Sequence, residues 1–524
     1  MKRAAAPLPP TPLQLLRERA AIAPERPLVR HRHDGERVEV GAGELLEAAR
    51  LVAGGLHALG ARPGDRVALL LGNGLDVVTF WFALPLAGLV EVPVNAEQRG
   101  LVLRHVLDDS DPVLVIGEPD LLAHVRDAGY DGPARLLAWD DAARAELRAH
   151  GPIAAPQDPP ASALSTVMYT SGTTGPSKGV MLSHGYLGGL GRNFASMRPD
   201  MGPEDTFYFC SPMFHVDARC MVAAALETGG CLAFSRRFSA SSFWEEVRDL
   251  DATFFLFIGA MLSILVETRT PGCADGHRLR AGTGAPIPAE AYAYFEDELG
   301  IQLVEVYGMT EAAAVTWSTP DKRRRGSAGH AAGPFEVAIL GPHDEVLGPD
   351  RTGQIAYRGT GPELVTMGYW QRPEATAAAF RNLWLHSGDL GRLDADGFLW
   401  FVGREKDMIR RRGENVSAYE VESTVGQLDG VLEVAAVPVP GDLGDEEDIL
   451  LLVVPSPGSG LTVEALAAFA HANLARFARP KWIDLVDDLP HTPTGKLAKH
   501  RIDHRPSDRA VLVASRPANP RPTT

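Results

Sequence analysis

Tyr169-Thr-Ser-Gly-Thr-Thr-Gly-Pro-Ser-Lys-Gly179 is the stretch on which the reading of this chain turns. Gly172, Gly175 and Gly179 let the backbone aim its N–H groups at an anion. Thr170, Ser171, Thr173 and Thr174 add hydroxyl donors, and Lys178 adds a compact positive charge. The combination suits a polyphosphate. A Walker A loop needs Gly directly before the lysine and Ser or Thr directly after it, whereas Ser177 precedes Lys178 and Gly179 follows it. A P-loop NTPase is therefore disfavoured. Taken alone, the stretch also fits a polar surface turn, so the rest of the chain has to decide.

Lysine usage sharpens the question. Of 51 basic residues only seven are lysines, at positions 2, 178, 322, 406, 481, 496 and 499. Where arginine is the default cation, a retained lysine points to a site that needs a small ammonium rather than a planar fork. That singles out Lys178, Lys406 and Lys496.

The chain has 524 residues, 45% hydrophobic and 23% charged, which suits a soluble protein of two or more domains. A net charge of -16 argues against a nucleic-acid-binding surface. Cys210, Cys220, Cys231 and Cys273 show no metal-ligand spacing and read as small core residues in a reducing compartment, the cytoplasm. Prolines and charges follow Lys2 and Arg3, so no export signal is expected. The apolar run 77–90 is shorter than the ~20 residues a bilayer needs and predicts a buried helix.

Between about residues 40 and 340, strand-like runs at 66–71, 112–116 and 253–258 alternate with helical stretches at 45–59 and 243–250, a layered α/β pattern. Short glycine-separated strands from 353 onward predict a small β subdomain. Beyond Lys406 the pattern predicts a helix at 418–427, strands at 431–438 and 449–454 flanking an acidic loop, and a helix at 462–475. Residues 504–524, rich in proline and arginine, predict a disordered tail.

Six further segments follow the first in order: Pro212-Met-Phe-His-Val, Gly282-Thr-Gly-Ala-Pro, Tyr307-Gly-Met-Thr-Glu, Ser387-Gly-Asp, Gly403-Arg-Glu-Lys-Asp and Thr494-Gly-Lys. Together they resemble the adenylate-forming, AMP-binding superfamily, and within it the acyl-CoA synthetases. The match extends from Pro63-Gly-Asp-Arg-Val to Lys496. The resemblance implies a large α/β N-terminal domain (1–403), built of two layered subdomains and a small β subdomain, and a mobile α+β C-terminal domain (404–503). It also implies ATP, Mg²⁺ and coenzyme A as reagents.

Residue roles follow from the same resemblance. Ser171 to Gly175 and Lys178 would bind the phosphates, with Thr170 and Glu311 as Mg²⁺ ligands. Gly282, Gly284, Ala285, Pro286, Tyr307, Gly308, Met309 and Thr310 would line the adenine side. Asp389, whose carboxylate can accept from two sugar hydroxyls, would hold the ribose near Arg404. Lys496 would touch both the acid and the α-phosphate, and Lys406 would be the hinge about which the small domain turns. Arg412, Gly413, Glu414 and Asn415 resemble the segment lining a coenzyme A tunnel. Gln354 and Asn382-Leu-Trp-Leu depart from the usual pattern without touching these roles.

For the acid, His215, Val216, Asp217, Ile258, Gly259, Ala260, Thr283, Gly308, Met309 and Ala313 form the expected pocket. These mostly small or apolar residues suit a bulky hydrophobic acid. Phe214-His-Val-Asp-Ala-Arg-Cys resembles the carnitine/crotonobetaine CoA ligase branch, in which Asp217 would meet a cationic group, although pairing with Arg219 is the commoner fate of such an acid. A carrier protein in place of coenzyme A, a homodimer, and a non-catalytic adenylate-binding protein stay open. No nucleic acid and no stable membrane association is expected.

Overall fold

The structure is a computed structural model; it describes residues 8–170, 177–404, 408–411, 414–441, 447–474, 478–492 and 497–513. Two compact units divide the chain. The first takes residues 1–338, 356–386 and 396–399, and the second takes 339–355, 387–395 and 400–524.

In the first unit, a nine-stranded sheet runs His330–Ala331, Ala312–Trp317, Gln302–Met309, Ala281–Ala285, Phe254–Ile258, Thr206–Phe209, Cys231–Phe234, Pro27–His33 and Glu36–Gly41. The pairings from Gln302–Met309 through to Pro27–His33 are parallel. Parallel strands are covered on both faces and read as continuous apolar runs. Phe254–Ile258 does so: Phe254 through Phe257 are buried. Phe255 and Phe257 belong to an aromatic core with Phe243, Trp244 and Phe295. Ala281–Ala285 can lie against that strand only because two of its residues are glycine. A Cβ on Gly282 would run into the Phe255 ring, and one on Gly284 into the Phe257 carbonyl.

A second, six-stranded sheet in the same unit runs Arg135–Ala138, Leu114–Gly117, Arg66–Leu70, Val90–Pro93, Leu164–Thr170 and Lys178–Ser183. Helices cover both sheets. Ala42–Ala58 buries Leu45, Ala49, Val52, Ala53 and Leu56, the spacing of one helical face. Leu75–Ala87 is buried at every position from Val77 to Ala87, so the apolar run is a core helix, as expected. Among the described residues no helix is long and apolar enough to cross a membrane. A five-stranded sheet follows, in the order Phe335–Leu340, Gly353–Gly359, Trp384–Leu393 and Phe380–Arg381, with Leu399–Arg404 also paired to Trp384–Leu393.

The second unit holds a four-stranded sheet, Val431–Pro440, Glu447–Pro455, Trp482–Leu485 and Val511–Leu512, and the helices Ala418–Val425 and Val463–Asn473. Thr462 caps the latter by accepting from Ala465 N at 3.3 Å. The expectation of a disordered tail from residue 504 is corrected as far as residue 513. Val511–Leu512 pairs antiparallel with Trp482–Leu485, and Val513 N donates to Lys481 O at 2.8 Å. Two apolar residues on a sheet edge outweigh the proline-rich composition around them. Residues 514–524 lie outside the described residues.

Candidate active site

Four parallel strands of the nine-stranded sheet deliver the expected acid and adenine residues from their carboxyl ends, the side on which open α/β sheets bind ligands. Thr206–Phe209 leads to His215 and Asp217, Phe254–Ile258 to Gly259 and Ala260, Ala281–Ala285 to Pro286, and Gln302–Met309 to Thr310 and Glu311. Register places Ile258 beside Ala285, and Thr283 beside both Leu256 and Val304. The Thr283 hydroxyl donates to Val304 O at 3.1 Å. A Cβ on Gly259 would sit 2.6 Å from the Pro286 carbonyl oxygen, so this junction needs glycine.

His215 is the N-cap residue of the helix Val216–Thr228, half-buried with its ring 4.4 Å from that of Phe214. Val216 and Ala313 are buried in one cluster with Met168, Val180, Leu182 and Tyr186. Tyr186 pins the turn that carries Glu311. Its hydroxyl donates to Thr310 O at 3.0 Å and accepts from Ala313 N at 2.9 Å.

Thr170 ends one strand of the six-stranded sheet, and Lys178 opens the next, directly opposite it. Residues 366–370 lie along that next strand: Met367 N donates to Met181 O at 2.9 Å, and Trp370 N to Gly179 O at 2.7 Å. A Cβ on Gly179 would sit 2.6 Å from Val167 and 3.2 Å from Trp370. This pairing brings in Tyr369, which the sequence reading did not single out. Its hydroxyl donates to Glu311 Oε1 at 2.7 Å, and Lys178 Nζ lies 5.0 Å from its ring centroid. Thr366 N donates to Glu311 O at 2.7 Å, so the same segment holds both the backbone and the side chain of Glu311. The only advance signal for Tyr369 is an aromatic pair after Gly368.

Glu311 is 4% exposed. A buried carboxylate and a threonine hydroxyl are the hard oxygen donors that Mg²⁺ takes, so the residues present fit that ion. Glu305 lies on the same strand as Tyr307. Burial pushes its carboxyl up to about 7, against an opposing hydrogen bond from the Ile287 backbone.

One expectation is corrected. Arg219 does not pair with Asp217; it forms an ion pair with Glu91, both side chains 5% exposed, and its guanidinium lies 3.9 Å from the Trp81 ring centroid. Positions two apart on a helix point in different directions, and the arginine faces the Val90–Pro93 strand. Asp217 is exposed at the first turn of its helix.

In the second unit, Asp389 and Arg404 come together, with Arg404 Nε 3.6 Å from Asp389 Oδ1. Asp389 N takes a hydrogen bond acceptor in Ser387 Oγ at 3.0 Å. Glu414 and Asn415 lie in the strand Glu414–Ser417, opposite Arg411 and Arg410. Ser171, Gly172, Thr173, Thr174, Gly175, Lys406, Arg412, Gly413 and Lys496 lie outside the described residues.

Residues 16–370 match the AMP-binding enzyme family, and residues 420–496 match the AMP-binding enzyme C-terminal domain. The chain belongs to the AMP-binding enzyme family. It is 32% identical over 498 residues to sulfoacetate–CoA ligase of Cupriavidus necator, covering 93% of this chain and 96% of the relative. It is 31% identical over 465 residues to crotonobetaine/carnitine–CoA ligase of Salmonella arizonae, covering 85% and 89%. Among solved structures, ATP-bound MatB from Rhodopseudomonas palustris superposes with a TM-score of 0.84 at 26% identity, covering 93% and 97%. These matches bear out the expected adenylate-forming fold and the AMP-forming acyl-CoA synthetase class. ATP, Mg²⁺ and coenzyme A are the reagents of that class.

Proposed function

We propose that this AMP-binding enzyme activates a bulky, mostly apolar carboxylic acid and transfers it to coenzyme A. In the first step a carboxylate oxygen bonds to the α-phosphorus of ATP and pyrophosphate leaves. In the second, the thiol sulfur bonds to the acyl carbon and AMP leaves. The observation that carries the reading is that one side chain, Tyr369, meets both the buried Glu311 carboxylate, through its hydroxyl, and the Lys178 ammonium, through its ring. A carboxylate for the metal and an ammonium for the phosphates, both linked to one side chain, suit a metal–triphosphate complex.

In this reading Thr170 and Glu311 hold Mg²⁺, which offsets phosphate charge when bound. Lys178 and the hydroxyls that precede it hold the phosphates. The backbone of 282–286 and Tyr307 to Thr310 accept the adenine side, and Asp389, steadied by Arg404, the ribose. His215 orients the carboxylate, Lys496 meets the reacting oxygens, and 412–415 line the thiol's path. The enzyme works in the cytoplasm, in keeping with four free cysteines.

A cationic acid is the second reading, favoured by one observation: Glu91 occupies Arg219 and leaves Asp217 exposed. The deciding assay follows pyrophosphate and AMP release from ATP, with and without coenzyme A, over fatty, aryl, polycyclic and trimethylammonium acids. AMP with acyl-CoA from an apolar acid supports the first reading. A response confined to trimethylammonium acids, lost in Asp217→Asn, moves the assignment to the second. Pyrophosphate without consumption of coenzyme A indicates a carrier protein as acceptor, and silence toward every acid refutes a ligase.

The proposed division at residue 404, with Lys406 as hinge, makes a separate forecast. Proline at 406 fixes φ and blocks rotation there, so Lys406→Pro is expected to form acyl-adenylate at a near-normal rate and to fail in transfer. Normal overall turnover in that variant removes Lys406 from the hinge.

A further inference from the structure

Tyr369 has two handles on the ATP site. Its hydroxyl reaches Glu311, and its ring faces Lys178. The phenol hydroxyl donates and the carboxylate accepts. A hydrogen bond to an ionised acceptor is among the stronger kinds. An ammonium within about 6 Å of an aromatic centroid is drawn to the ring face.

The backbone around Tyr369 is anchored from several sides. It bridges to Val180, and its N–H donates to Thr376 Oγ1 at 2.9 Å. Next to it, Trp370 Nε1 donates to Asp109 O at 3.1 Å, and Arg372 pairs with the Asp109 carboxylate at 2.5 Å. A side chain on so fixed a base can set the position of two others.

We propose that Tyr369 is a positioning residue that couples the metal side of the ATP site to its phosphate side. The hydroxyl orients the Glu311 carboxylate toward the metal, and the ring orients the Lys178 ammonium toward the phosphates. The proposal rests on the roles given above to Glu311 and Lys178. It adds that one residue serves both, through two separable groups.

The test measures affinity for a non-hydrolysable ATP analogue by calorimetry, with Mg²⁺ and with EDTA, on the full chain. Tyr369→Phe is expected to weaken the Mg²⁺-bound analogue about tenfold, the scale of one charge-assisted hydrogen bond. It should leave the metal-free analogue within about twofold, because the ring remains. Tyr369→Leu is expected to weaken both forms, by about tenfold or more with Mg²⁺. Glu311→Gln should reproduce the metal-specific loss, and adding Tyr369→Phe to it should cost nothing further.

Equal loss of both forms in Tyr369→Phe, or no loss, overturns the hydroxyl's role. A leucine variant that behaves like the phenylalanine variant overturns the ring's role. If the leucine variant melts early, Tyr369→Trp keeps a ring without the hydroxyl and must match phenylalanine. Wild-type protein that binds the analogue under neither condition refutes the ATP reading itself, a different failure from the others.

Discussion

Replacing Lys496 with alanine is expected to lower acid-dependent pyrophosphate release by about a hundredfold or more, the scale of losing a preorganised charge contact at the reacting centre. Thioester formation from supplied acyl-adenylate should survive almost unchanged. The asymmetry follows from where charge develops. As the carboxylate oxygen bonds to phosphorus, negative charge crowds at the α-phosphate and builds on the departing pyrophosphate, and an ammonium placed there, as proposed for Lys496, would favour that state over the ground state. In the second step the acyl bond to phosphate is already made.

The other lysines make the choice of Lys496 more pointed. Lys481 pairs with Asp448 at 2.7 Å and Lys499 with Glu422 at 2.6 Å, while Lys322 lies 5.6 Å from the Phe398 ring centroid. Those three have structural occupations. Lys496→Arg is expected to rescue little, since a guanidinium delivers its charge through a wider planar fork. Assaying the two half-reactions separately decides the matter: equal loss in both removes Lys496 from adenylation.

The second large effect concerns stability. Breaking the Glu91–Arg219 pair by Arg219→Ala is expected to destabilise the first unit by about 3–5 kcal/mol, because it strands a buried carboxylate. Burial already pushes the Glu91 carboxyl up and brings the Arg219 guanidinium down to about 10, so each ion is held against its own desolvation. The pair ties the helix Val216–Thr228 to the Val90–Pro93 strand. Glu91→Leu combined with Arg219→Met should recover most of the loss, since two apolar side chains leave no stranded charge. Denaturant unfolding of the single and double variants gives the comparison, and an unchanged midpoint in Arg219→Ala would refute the assignment.

Much of the fold was legible because it rests on local signals. Ala42–Ala58 declares itself by helical spacing, and Phe254–Ile258 by an unbroken apolar run. The candidate site was proposed where chemistry is written in consecutive residues, as in Tyr307 to Glu311. What the sequence hid depends on long-range pairing. Tyr369 reaches Glu311 and Lys178 only because residues 366–370 lie along a strand nearly two hundred positions earlier. Arg219 was assigned the acid two residues away, whereas its partner lies 128 positions away. Composition also misled at the C-terminal end, where Val511 and Leu512 are outnumbered by prolines and arginines yet pair with Trp482 and Ile483.

That last pairing matters to anyone shortening the chain. Composition invites a cut after residue 503, but Val511–Leu512 shields the outer edge of the four-stranded sheet. Removing it uncovers unpaired backbone donors and acceptors along Trp482–Leu485, a template on which a neighbouring molecule's extended segment can add itself. Val511 and Leu512 thus act as a guard against self-association, and a protein trimmed at 503 gives up that guard for a sticky edge.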